Sequence, residues 1–136
     1  MRTQPSLIVL IAAGLIRLAS PDGFAQDLAS MPPVVVKTFP ESGSKDVSPG
    51  IVEIRVVFSK EMMDKSWSPA SAWENSAPAI VGTPSYGADR KTWLMKVKLE
   101  SGKTYGYWLN DQKFTNFKDQ QGHSAVPYPL VFKTRN

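Results

Sequence analysis

From Ile51 to Asp64 the chain reads IVEIRVVFSKEMMD, and its first eight residues restrict the fold more than any other stretch. Val52, Ile54, Val56 and Phe58 recur at every second position, with Glu53 and Arg55 between them. A period of two puts the apolar set on one face of a strand and the charges on the other, the pattern of an antiparallel strand packed on a core by one side only. Val57 interrupts the polar face, which predicts that part of the sheet's second side is covered.

The rest of the chain repeats this signal in short pieces. Val34 to Phe39 (VVVKTF) is a β-branched run between Pro32-Pro33 and Pro40, prolines that suit an edge strand because they cannot donate to a ladder. The loop Glu41 to Gly50 is dense in Gly, Ser, Asp and Pro, and Val47 within it is expected to plug the core. Trp93 to Leu99 (WLMKVKL) alternates cleanly, with Lys96 and Lys98 on its polar side. Thr104 to Asn110 (TYGYWLN) sets Tyr105, Tyr107 and Leu109 against Trp108, and Tyr105, just after the Gly102 turn, is placed to form a tyrosine corner. Ala79 to Thr83 and Pro129 to Thr134 complete the strands. Two short helical pieces are expected, one turn capped by Ser59 and one from Ser68-Pro69 through Trp73. Several short strands, period-two patterning and polar turns argue for an antiparallel β-sandwich.

The ends and the composition bound what such a domain can do. Arg2, the apolar run Leu7 to Ile16 and the small residues around Ala25 have the pattern of a cleavable signal peptide, residues 1–25. Ten apolar residues are too few to span a bilayer, which needs about 20. Gln26 to Pro33 reads as an extended linker and residues 34–136 as one domain, exported to a periplasm or to the exterior. With no cysteine, neither a disulfide framework nor a thiolate metal site can form. The +4 charge is scattered along the chain, so no nucleic-acid partner is expected.

Four segments in this order resemble the bacterial Ig-like domains of the SbsA type: Phe39 to Val47 (FPESGSKDV), Phe58 to Asp64 (FSKEMMD), the Leu99, Gly102, Tyr105 spacing, and Asp119 with Gly122 ahead of Phe132 to Thr134. The resemblance covers about residues 34–135. It implies an all-β, Ig-like sandwich of about seven strands, here following the signal helix read above, that acts as a spacer, presentation or binding module and not as an enzyme. Glu61 stands where that family often has proline, and His123 where it often has asparagine.

Candidate chemistry is sparse. His123, the only histidine, adjoins Ser124 and follows Asp119, but sequence neighbours supply neither a converged triad nor an oxyanion hole, so a solvated loop histidine is expected. Asp111, Asp119 and the carbonyls near Gln121 offer the hard oxygens that calcium takes, without EF-hand spacing; turn chemistry at Asp119 and Gly122 is the favoured reading. Met62 and Met63 are expected to fill the end of the sandwich, since a soft-metal site needs several convergent ligands. No catalytic residue, metal or cofactor is therefore expected. Trp67, Trp73 and Trp108 are the candidate ligand contacts, either an exposed aromatic platform or a cover in which the Trp67–Trp73 loop buries Trp108 and accounts for Val57 and Leu94. The expected function is a non-catalytic module for protein–protein interaction or scaffolding in the cell envelope, with an extracellular or envelope protein as partner; the alternative is a carbohydrate- or peptide-binding module that uses these tryptophans.

Overall fold

In the computed structural model, which describes residues 27–136, the Ile51–Phe58 alternation becomes the second of seven strands. The proposed signal segment, residues 1–25, lies outside the described residues. The strands are β1 (Val35–Phe39), β2 (Gly50–Phe58), β3 (Pro69–Ser71), β4 (Ala79–Tyr86), β5 (Thr92–Leu99), β6 (Thr104–Leu109) and β7 (Tyr128–Lys133). They form two antiparallel sheets, of order β1-β2-β5-β4 and β3-β6-β7. β1 takes an edge, the position its flanking prolines suit because they end the ladder at both sides of the strand.

Register follows from the alternation. In β2 and β5 the pairs Ile54 with Met95 and Val56 with Trp93 put four apolar side chains on the inner face, all at most 1% exposed. In β6 and β7, Tyr105 pairs with Phe132 and Tyr107 with Leu130, and these four form the opposing layer. A one-residue slip in either ladder would turn the whole set to solvent. Burial of each such side chain contributes roughly 1.5–3 kcal/mol before conformational entropy is subtracted. The Tyr105 hydroxyl accepts a hydrogen bond from the Glu100 amide at 2.7 Å, closing the tyrosine corner. The Tyr107 hydroxyl and Trp93 Nε1 are buried without a partner among the described residues, and burial pushes the Tyr107 hydroxyl's pKa up.

After β1 the chain changes sheets. Beyond the cis Phe39-Pro40 peptide, Gly43 donates to the Val131 carbonyl, Val47 to that of Lys133, and Arg135 to that of Val47. The loop thus runs beside β7 and occupies its open edge, and Val47 packs against the core as expected.

Three expectations are corrected. Pro69–Ser71 is a strand and not the start of a helix, because β6 would otherwise present an unpaired edge; Ala70 pairs there with Trp108. Ser59 caps no helical turn: its hydroxyl accepts from the Val34 amide and ties the start of β1 to the end of β2. Finally, Val57 and Leu94 are not under the tryptophan-bearing loop. They lie on the outer face of the four-stranded sheet, in register with Lys37 and Ser85, whereas Trp108 is on the outer face of the other sheet. The two faces point away from each other across the core, so one loop cannot cover both.

Candidate functional site

The residues with the most reactive side chains gather at one pole, where β2 ends. Asp119 is fully buried, and its Oδ2 accepts from Lys60 Nζ at 2.5 Å and faces His123 Nδ1 at 3.2 Å. Its Oδ1 accepts from the amides of Gln121 and His123 at 2.9 and 2.8 Å, which makes the turn expected of Asp119 and Gly122. Gly122 has φ of 86°, a conformation that favours glycine. Burial alone would raise the Asp119 pKa; the Lys60 ammonium, the His123 amide and the His123 ring outweigh it and hold the carboxyl below the usual range.

Lys60 also donates to the carbonyls of Met31 at 2.8 Å and Ala29 at 3.4 Å. Residues 27–33 are thereby seated on the domain, their first turn closed by the Ser30 amide donating to Asp27 Oδ1. The buried ammonium has an acceptor in each direction, the arrangement that makes a buried ion pair tolerable.

Asp119 and His123 form a dyad, but the adjacent Ser124 hydroxyl donates to the Thr115 carbonyl at 2.9 Å and has no contact with the imidazole. Asp111 is engaged elsewhere, its Oδ1 accepting from the amides of Lys113 and Phe114. Both carboxylates of the calcium reading are thus held by protein donors, and among the described residues no group of three or more His, Asp or Glu side chains converges. Met62 fills the core at 1% exposure, whereas Met63 stands at the rim. Asn110, which ends β6, fastens the same pole: its amide donates to the carbonyls of Phe117 and Ala125, and its oxygen accepts from the Phe117 amide.

The three candidate tryptophans separate. Trp67 packs at the edge of the core, 6.5 Å from the Trp93 ring and 6.0 Å from Tyr86. Tyr86 in turn donates to the Ser66 carbonyl, and its pKa is pushed up to about 12 by burial. Trp73 and Trp108 instead share the outer face of the three-stranded sheet. Trp108 alternates with the buried Tyr107 and Leu109, and is half-buried. Trp73 follows β3 and lies across Gly106, two residues before Trp108 on the same face; a Cβ at Gly106 would come within 2.4 Å of the indole.

The backbone beneath Trp73 is held by Ser76, which is fully buried. Its hydroxyl accepts from the amides of Ala72 and Trp73 at 2.9 and 3.1 Å and donates to the Gly106 carbonyl at 2.7 Å. The residue so positioned is 44% exposed. Sequence reasoning missed Ser76 and Gly106. Gly106 did carry a signal, since an internal glycine in a strand marks a close approach of another group.

Next to Trp108 is a hollow of about 450 Å³, lined by Trp108, Asp111, Gln112, Lys113 and Pro127. It joins an aromatic wall to an acceptor, an amide and a cationic donor, groups able to orient a polar ligand against an apolar surface.

A family model described as a bacterial Ig-like domain matches residues 29–134, almost the whole of the described chain. No curated protein matches the chain.

Proposed function

The chain belongs to the bacterial Ig-like domain family, and from that premise we propose that it is an exported, non-catalytic module of the cell envelope that acts by protein–protein contact or as a scaffold. Such domains are typical of bacterial surface or extracellular proteins and are generally non-catalytic. The carrying observation is the placement of the two ends. Residues 29–31 are clamped by Lys60 at the pole where β2 finishes, while Arg135 is bonded to Gly102 at the opposite pole. The nine residues of β2 separate these poles by about 30 Å. With residues 29–31 and Arg135 placed at the poles, the outer faces of the two sheets between them can meet a partner, which suits a scaffold.

A second reading is a carbohydrate- or peptide-binding module. The exposed Trp73 favours it, because a buried serine and a strand glycine serve to hold that ring on the surface.

Photo-crosslinking in cells tests the first reading. A crosslinking side chain at Lys96, on the outer face of the four-stranded sheet, or at Thr104, on that of the three-stranded sheet, should join a discrete envelope protein. The adduct should contain a chain lacking residues 1–25. A chain that stays full-length in the cytoplasm and gives no adduct from either face would sink the proposal.

A further inference from the structure

We propose that the Trp108 hollow and the exposed Trp73 ring together form a binding site for a neutral polysaccharide; this deepens the second reading above and rests on it. Trp73 and Trp108 sit over positions two residues apart on β6, a separation of about 7 Å along the strand. The two rings do not stack on each other, so each offers its own surface to a chain laid along the sheet. The apolar face of a sugar ring suits an indole, and the hydroxyls at its edge need donors and acceptors. The hollow supplies both. Asp111 has one oxygen fixed by the Lys113 and Phe114 amides, and its other oxygen has no partner among the described residues. Gln112 offers an amide and Lys113 an ammonium.

Charge and backbone pairing select the ligand class. Asp111 and Lys113 are of opposite sign at the same rim, so the hollow favours neither anion nor cation. Around Trp108 and Gly106 the outer face carries Ala70, Pro129 and Val131 by register, none of them charged. A peptide joining by strand addition needs an open sheet edge. β6 is paired on both sides, and the edge that remains beside the tryptophan face is β3, three residues long and begun by a proline, a poor template for an added strand.

Native gel electrophoresis through soluble β-glucan, dextran and galactomannan, with alginate as the anionic counterpart, tests the proposal on the mature chain. At least one neutral polymer should retard the protein, and alginate should do so less. Trp73→Ala and Trp108→Ala should each weaken retardation about tenfold, as loss of one aromatic contact predicts. Gly106→Ala should reproduce the Trp73 effect by displacing the ring, and Trp67→Phe should leave binding intact. Denaturation midpoints establish that each variant is folded. Failure of all three neutral polymers, or stronger retardation by alginate, overturns the assignment. If binding to a peptide array then depends on Trp73 and Trp108, the tryptophan-face reading survives with a peptide ligand; if it does not, that reading fails as well.

Discussion

The pole around Asp119 and the outer face of the three-stranded sheet depart from ordinary side-chain placement in opposite ways. At the pole a carboxylate and an ammonium are buried, at 0% and 9% side-chain exposure. On the face, a tryptophan is held out at 44%. The bonds at the two sites run in opposite senses, inward onto a buried carboxylate at the pole and beneath an outward-facing ring on the face. The bonds of Asp119 and Lys60 at the pole close the Asp119–His123 turn and seat residues 27–33, work that serves the fold. The bonds beneath Trp73 leave a large aromatic residue partly facing solvent, and the ligand reading proposed above rests on that exposure.

If that contrast is right, damage to the pole should appear in stability and damage to the face in binding. The largest effect is expected from Asp119→Ala, which leaves the Lys60 ammonium uncompensated and two amides unpaired. Unfolding in urea should show a loss of about 4 kcal/mol. Lys60→Met should cost less, because Asp119 keeps its backbone donors and His123. An equal or smaller loss for Asp119→Ala than for an exposed control such as Glu41→Ala would break the comparison.

Asn110→Ala comes next, at about 3 kcal/mol, since it strands buried groups of Phe117 and Ala125 and puts alanine at φ of 69°. Acid should sharpen the same contrast. The folded Asp119 carboxyl is held low, so its contribution is fully present above the unfolded value near ~3.9 and is lost as pH falls through the lower folded one. Stability measured from neutral pH downward should therefore fall more steeply in the wild type than in Asp119→Asn.

Tyr105→Phe should cost about 1 kcal/mol by removing the acceptor of the Glu100 amide. The smallest change in stability, within about 1 kcal/mol, is expected for Trp73→Ala, because the residue removed is partly exposed; Gly106→Ala should cost somewhat more, since its Cβ meets the Ala72 Cβ at 3.1 Å as well as the Trp73 ring. A denaturation midpoint for Trp73→Ala as low as that of Asn110→Ala would show that the ring is structural after all.

The strands were legible because burial on one face imposes a period of two, and β2, β5 and β6 each carry that period with few exceptions. The tyrosine corner was legible for a local reason: a Gly turn brings Tyr105 back over Glu100 within five residues. The β3 segment was not, since Ser68-Pro69 is as good a helix start as a strand end, and only the unpaired edge of β6 decides between them. Likewise the tryptophans looked equivalent in sequence. Trp67 sits beside Trp93 and Trp73 on Gly106 because of contacts spanning dozens of residues.

What the sequence determined by itself is an all-β domain with a one-sided core, since alternation and turn chemistry are local and repeat along the chain. Only the tertiary structure decided that Lys60 would be buried against Asp119, that the Ser124 hydroxyl would bond to Thr115 and not to His123, and that Trp73 would lie on Gly106 partly exposed. Each of these depends on two distant segments meeting, and single-residue preferences hold no information about which segments meet.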